Sequence, residues 1–284
     1  MEIDAHTGFC GVIGNPVEHS LSPAIHNAAF KNLGLNLVYL AFRVEAIGEA
    51  IRGLRALGGF RGASVTIPHK VSAIPFLDEV ESTARHIGAI NTIVANQGRL
   101  TGYNTDATGA LRALRGGAGS LAGKRVVILG SGGAARAIAF ALAGEPGLAG
   151  VALLGMDGNE RSILSADLRA KTSLTVAEAP LDESTLRKTI PDAQVLIHCT
   201  PIGMSPKTDA SCVPAALLHA GLAVMDIVYN PRETQLLKDA RRAGCVTIPG
   251  LEMFLHQAVA QCELWTNQTA PADIMRAVLE SRFK

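Results

Sequence analysis

The sequence predicts an α/β protein of two domains, and three observations carry that prediction. Short runs rich in Val, Ile and Leu alternate with longer Ala-rich segments of helical period, the pattern of parallel strands joined by crossover helices. An apolar strand, a glycine cluster and an Ala-rich helix follow one another without interruption from Val126 to Phe140. At 284 residues and 48% hydrophobic composition, the chain is long enough for two ordinary domains with substantial cores.

In chain order, the apolar run Phe9 to Ile13 reads as a strand and the segment from Pro23 to Leu33 as a helix. Leu37 to Arg43 is the next strand, Ala46 to Leu57 the next helix, and Ala63 to Ile67 a strand stopped by Pro68. Arg115-Gly-Gly-Ala-Gly-Ser120 breaks the pattern as a linker or helix end leading into the second domain. Beyond it come the strands Arg125 to Leu129, Val151 to Leu154, Gln194 to His198 and Ala223 to Val228. The last apolar-periodic helix, 251–266, follows Pro249-Gly250 and is expected to pack back on the first domain.

Composition narrows the function classes. The formal charge of +1, from 26 basic and 25 acidic residues without a dense basic run, leaves no footprint for nucleic acid or an anionic membrane, and a small-molecule partner fits better. The five cysteines form no CxxC pair, and the eight histidines belong to no ligand cluster, which predicts no metal site and no disulfide framework. Acids at the N-terminus and the lack of an apolar stretch of roughly 18 residues predict a soluble, cytoplasmic protein.

Val126-Val-Ile-Leu-Gly130-Ser131-Gly132-Gly133-Ala134 sets its glycines where a dinucleotide fingerprint needs them. Gly130 permits the tight turn, Gly132 and Gly133 let backbone amides approach a pyrophosphate, and the helix N-terminus adds free N–H groups and a positive dipole end. The third fingerprint position is Ala135. In such folds an acid after the next strand binds the adenosine ribose, whereas an Arg there accepts a 2′-phosphate. Here Gly155-Met156-Asp157 follows Val151 to Leu154, so Asp157 favours NAD, with Arg161 in reserve as a phosphate ligand. Asp157 reads equally well as a turn or helix cap.

Lys70, after Ile67-Pro68-His69, stands at the C-terminal edge of its strand, the edge at which open α/β sheets bind ligands. The same logic covers Asn91, Asn104 and Asp106 beside their apolar segments. A Lys and an Asp meeting there would make an acid–base pair, although Asp106 could instead cap a helix starting near Thr108.

Together these segments resemble the shikimate dehydrogenase family, which includes the quinate/shikimate dehydrogenases. The resemblance rests on Gly14-Asn-Pro-Val-Glu-His-Ser20-Leu-Ser22-Pro-Ala-Ile-His26-Asn, Val65-Thr66-Ile-Pro-His-Lys70, Gly88-Ala-Ile-Asn91-Thr, Gly102-Tyr-Asn104-Thr-Asp106 and Gly250-Leu-Glu-Met-Phe-Leu-His-Gln257, and runs over nearly the whole chain. It implies a catalytic, substrate-binding domain from 1–107 and 251–284 and a Rossmann-type dinucleotide domain from 108–250, with the cleft between them. It also implies an oxidoreductase of the chorismate pathway of aromatic amino acid biosynthesis, reducing 3-dehydroshikimate reversibly to shikimate with NADP or NAD, with Lys70 and Asp106 as the acid–base pair. By the same resemblance Ser20, Ser22 and Tyr229 would hold the substrate carboxylate and Thr66, Asn91, Asp106 and Gln257 its ring hydroxyls. Gly130, Ser131, Gly132, Gly133, Ala134, Asp157, Arg161, Thr200, Ile227 and Gly250 would hold the dinucleotide. Monomer and homodimer are both compatible with it.

Four departures from the family pattern stand out: Gly155-Met156-Asp157 where Asn-Arg-Thr is frequent, Ser64 for Asn, Ala107 for Gly, and His198-Cys199 for Asn-Ala. The first opens NAD or dual use and, with it, a quinate/shikimate dehydrogenase or an aminoshikimate-type paralogue. His198 could touch the cofactor or satisfy backbone groups at a strand end. A non-catalytic ligand-binding paralogue would be expected to lose the Lys–Asp pair, which this chain keeps.

Overall fold

The computed structural model describes residues 2–282. The chain forms two compact units, Met1–Gly109 with Leu255–Lys284, and Ala110–Phe254. The first contains β1 (Gly8–Gly14), α1 (Ser22–Asn32), β2 (Leu37–Arg43), α2 (Ile47–Ala56), β3 (Phe60–Val65), β4 (Glu79–Val80), α3 (Ser82–Ile87), β5 (Thr92–Asn96) and β6 (Arg99–Tyr103). Helix α4 (Thr105–Ala118) leads into the second, which holds β7 (Arg125–Leu129), α5 (Gly133–Ala143), β8 (Gly150–Gly155), α6 (Gly158–Lys171), β9 (Val176–Pro180), α7 (Glu183–Thr189), β10 (Val195–His198), β11 (Ala223–Asp226), α8 (Gln235–Arg242) and β12 (Val246–Pro249). Helix α9 (Gly250–Thr266) returns the chain to the first unit, where α10 (Ala272–Ser281) packs on α1.

The first sheet has the order β2-β1-β3-β5-β6-β4. Its β1, β2 and β3 are parallel, as the alternating pattern predicts, but β5 runs antiparallel to both β3 and β6. The β5–β6 pairing follows from a two-residue turn: Gln97 and Gly98 both take positive φ, 49° and 79°, the conformation whose twist suits a tight hairpin. The core on this sheet includes Ile13, Ile51, Val65, Ile90, Ile93 and Leu100.

The second sheet is parallel throughout, in the order β12-β11-β10-β7-β8-β9. Strand order reverses between β7 and β10, so the C-terminal ends of those two strands flank the crevice where such sheets take ligands. Val126 to Leu129 and Val195 to Ile197 are almost wholly buried, as strands covered on both faces must be.

The 115–120 segment is not a free linker, because α4 continues through Gly116 and Gly117 to Ala118. A Cβ on Gly117 would lie 2.4 Å from Ile248 Cγ1, so the glycine serves close packing inside the helix. Gly119, at φ +70°, then ends it in the left-handed conformation.

Candidate active site

In the first unit, the site grows from the C-terminal ends of β1 and β3 and from the start of α4. Gly14 has no room for a side chain: a Cβ there would meet Thr66 Cγ2 at 2.3 Å. That close approach ties the Ser20 loop to the Lys70 segment through Thr66 N–H to Ile13 O (3.0 Å) and Asn15 N–H to Ile67 O (2.9 Å). Ser20 is half-buried and its Oγ accepts from Ser22 N–H (3.3 Å), with Ser22 in the buried first turn of α1.

Lys70 Nζ donates to Asp106 Oδ2 at 2.6 Å, and the two side chains are 35% and 19% exposed, open enough to be reached and buried enough to be held. The Lys70 carbonyl accepts from Ile90 N–H (2.8 Å), which fixes the backbone beneath the ammonium. Helix α4 begins at Thr105, three residues before the expected start, and its cap is Asn104, whose Oδ1 accepts from Ala107 N–H (3.2 Å). Asp106 therefore sits in the first turn with its carboxylate free to face Lys70, and the capping alternative for it is set aside. A carboxylate there also favours the helix dipole.

Asn91 is buried, and its Oδ1 accepts from Thr105 N–H (2.7 Å) and the hydroxyls of Thr92 (2.9 Å) and Thr105 (3.1 Å). That set fixes the amide orientation and leaves Nδ2 as the donor. Beneath it runs a buried chain in which Tyr39 OH donates to Ser64 Oγ (2.7 Å), Ser64 Oγ to Gln261 Oε1 (2.9 Å), and Gln261 Nε2 to Thr92 Oγ1 (3.0 Å). Ser64, a departure from the family pattern, is thus fully engaged. Gln257 lies one helical turn before Gln261 on α9 and is also buried.

In the second unit the glycine turn joins β7 to α5. Gly130 has φ +110°, and a Cβ on it would stand 2.9 Å from Cys199 O and 3.3 Å from Thr200 Cγ2, so only glycine lets the turn pass this close. Gly132 and Gly133 are exposed with open space where a Cβ would be, and no side chain caps α5 at Gly132. Free helix N–H groups beside Ser131 and Ala134 fit a pyrophosphate. Ala135 is wholly buried, which allows close packing of helix on strand.

Residues just past β10 meet the same turn, and β11 and β12 follow beside β10 in the sheet. Ile227 N–H donates to His198 O (3.1 Å), and Gly250 admits the Ile227 carbonyl, which lies 2.5 Å from where its Cβ would be. Tyr229 is 39% exposed in this unit, its ring 5.3 Å from that of Phe254. At the end of β8, Asp157 caps α6, its Oδ1 accepting from Glu160 N–H (2.9 Å). Arg161 turns inward, donating to Gly155 O (2.7 Å) with its Nε 3.7 Å from Glu178.

His198 does not serve backbone groups. Its Nδ1 pairs with Asp226 Oδ1 at 2.9 Å and its Nε2 with Thr200 Oγ1 at 2.5 Å, while Thr234 Oγ1 donates to Asp226 Oδ2 at 2.5 Å. Burial alone would depress the imidazole pKa, but hydrogen bonds to Asp226 and Cys212 and the Asp226 charge outweigh it and raise it to about 9. Burial pushes the neighbouring Cys199 thiol up, which keeps it protonated and unreactive. Reasoning from the sequence misses Thr105, Gln261, Asp226 and Thr234. A signal exists for Asp226, since a lone carboxylate closing an apolar strand demands a partner.

A Lys–Asp proton pair in one unit and a dinucleotide-type glycine turn in the other define the class, an NAD(P)-dependent oxidoreductase acting on a CH–OH group. Comparison with known proteins narrows it. Residues 12–93 match the shikimate dehydrogenase substrate binding domain and residues 250–280 the shikimate 5′-dehydrogenase C-terminal domain. Shikimate dehydrogenase (NADP(+)) of Moorella thermoacetica is 44% identical over 98% of this chain and 95% of its own. Among solved structures, shikimate 5-dehydrogenase from Listeria monocytogenes in complex with shikimate and NAD is 35% identical with a TM-score of 0.93, covering 98% of both chains. Quinate dehydrogenase from Corynebacterium glutamicum in complex with NAD is 29% identical with a TM-score of 0.90, covering 97% of this chain and 99% of its own. The chain belongs to the shikimate dehydrogenase family.

Among the described residues no three His, Cys, Asp or Glu side chains gather as metal ligands would, and no helix is long and apolar enough to cross a membrane.

Proposed function

We propose that this protein interconverts 3-dehydroshikimate and shikimate, with the first unit binding the substrate and the second the dinucleotide. The observation that carries this reading is the 2.6 Å Lys70–Asp106 contact amid Ser, Thr, Asn and Gln side chains. A ring bearing one carboxylate and several hydroxyls finds a partner for each group in such a set. Ser20 and Ser22 take the carboxylate; Thr66, the Asn91 Nδ2 donor, Asp106 and Gln257 take the hydroxyls. A buried group left unpaired by an analogue lacking one hydroxyl disfavours that analogue.

A bound nicotinamide supplies the hydride that reduces the carbonyl carbon. Lys70 donates one N–H to Asp106 and keeps two for the substrate oxygen, so its ammonium can protonate the alkoxide as it forms and recover the proton from solvent. In the oxidative direction the same nitrogen takes the hydroxyl proton, and Asp106 holds it in line throughout.

Asp157 and Glu160 place two carboxylates past β8, while the cation of the segment, Arg161, is turned to Gly155 O and Glu178. A 2′-phosphate would meet negative charge there and a ribose hydroxyl would meet an acceptor, which favours NAD or dual use over strict NADP. It also gives substance to a second reading, an NAD-preferring quinate/shikimate dehydrogenase. Initial rates of reduced-nicotinamide formation with shikimate and with quinate, each with NAD and with NADP and with Lys70→Ala as blank, test both. Turnover of shikimate is the expected result. Turnover of quinate as well as shikimate, with NAD preferred, would favour the second reading, and no turnover in any pairing would overturn both.

A further inference from the structure

We propose that Asp226 and His198 form a buried positioning relay that turns the Thr200 hydroxyl outward as a hydrogen-bond donor to the bound dinucleotide. The proposal rests on the reading of the second unit as the dinucleotide-binding one. The relay lies at the C-terminal ends of β10 and β11, beside the strand-order reversal, and Thr200 packs against Gly130 of the glycine turn.

Asp226 accepts three hydrogen bonds, from Thr234 Oγ1 and Val228 N–H and from His198 Nδ1, as an ionised carboxylate does. A buried carboxylate needs a counter-charge, and the groups facing the ring are Asp226, Cys212 and Thr200, none of them cationic. The imidazole itself is the group able to supply it. As imidazolium both its nitrogens donate, Nδ1 to Asp226 and Nε2 to Thr200 Oγ1. Thr200 Oγ1 also accepts from Ile202 N–H at 3.3 Å. A hydroxyl has two acceptor positions and one proton, so with both acceptor positions filled the proton must find an acceptor elsewhere. Thr200 is half-buried just past the C-terminal end of β10, at the edge where such sheets take ligands, so the acceptor for its proton there is an oxygen of the bound dinucleotide. In the neutral ring Nε2 becomes an acceptor, the Thr200 proton turns inward to it, and the outward donor is lost.

Calorimetric titration with NADH and with NADPH, from pH 7 to 10, separates the relay from a structural contact. The wild-type dissociation constant is expected to rise about tenfold over that range, the worth of one hydrogen bond, as the imidazole gives up its proton. Thr200→Val is expected to bind about tenfold more weakly at pH 7 with no such rise. His198→Asn, whose amide donates at every pH, is expected to lose the pH dependence while its melting temperature shows that it folds. An exchange-protected imidazole N–H resonance, present in the wild type and absent from His198→Asn, would mark the paired ring. A flat wild-type profile, or Thr200→Val binding as the wild type does, would overturn the relay and leave dinucleotide binding standing. No binding of either nucleotide to the wild type would overturn both.

Discussion

The two units present polar groups at the C-terminal edge of a sheet with different materials. Around β1, β3 and α4 the chemistry is carried by side chains, Lys70 against Asp106 with Asn91 fixed by Thr92 and Thr105. Around β7 and α5 it is carried by backbone, the uncapped amides after Gly132, with a turn that needs Gly130 at φ +110°. A side-chain site fails when one residue changes its chemistry, whereas a backbone site fails when the chain can no longer follow its path. Substitutions should therefore act in opposite ways on the two halves.

The largest effect is expected at Lys70. Lys70→Ala removes the proton donor while leaving the serines and Asn91 in place, so kcat should fall by about 10²- to 10⁴-fold with little change in KM. Steady-state kinetics checks this, and a large rise in KM at unchanged kcat would make Lys70 a binding group instead. Gly130→Ala is the matching test of the other half. It sets a Cβ 2.9 Å from Cys199 O at a φ that side chains avoid, so dinucleotide affinity should fall at least about tenfold and stability by about 1–3 kcal/mol. Wild-type NADH affinity in this variant would show that the turn tolerates movement.

Each unit also buries a histidine whose pKa is shifted, His26 in the first and His198 in the second, and the two shifts differ in sign. His26 is caged by Tyr39, Phe30 and Trp265, with the Tyr39 ring stacked at 4.6 Å, and neither ring nitrogen makes a hydrogen bond of ordinary geometry. Burial drives its pKa down to about 3, with nearby Gln261 opposing only weakly. The unfolded chain then binds a proton that the folded one refuses, so His26 costs no stability above its ordinary pKa of 6.5, and stability is lost as pH falls from there towards 3. His198, raised to about 9, behaves oppositely: its contribution is whole below 6.5 and is lost as pH rises through 9. Melting curves should show both limbs, with His198→Asn flattening the alkaline one. An alkaline limb unchanged in that variant would assign the loss to other groups.

The same division explains what could be read from the sequence. Lys70, Asp106 and Asn91 are readable as polar residues beside apolar strand ends, although only the folded chain sets Lys70 against Asp106, and the glycine turn is readable by its place between strand and helix. The parallel sheet of the second unit follows from its evenly apolar strands. The antiparallel pairing of β5 was not legible, since Gln97-Gly98 is a weak hairpin signal and its two positive φ values appear only in the folded chain. Nor was the glycine-rich run at 115–119 readable as helix, because Gly117 answers to Ile248, a residue far along the sequence. His198 and Asp226 are 28 residues apart, and only the register of β10 beside β11 sets them opposite each other.

The smallest predicted effect falls where side chain and backbone roles meet, at Asp157. Its Oδ1 is engaged in capping α6, while its exposed position past β8 leaves the second oxygen for a ribose hydroxyl. Asp157→Ala loses both, and the cap alone is worth about 1 kcal/mol of stability. Asp157→Ser separates them, since a hydroxyl can cap the helix without carrying charge. In Asp157→Ser, stability should hold while NAD affinity falls about three- to tenfold and NADP affinity rises, the worth of one hydrogen bond and one repulsion near a solvated surface. Raising salt should narrow the NADP difference and leave the NAD difference in place, because screening weakens the charge contribution far more than the hydrogen bond. If Asp157→Ser leaves the ratio of the two affinities unchanged, Asp157 is a helix cap alone and the preference is set elsewhere in the turn.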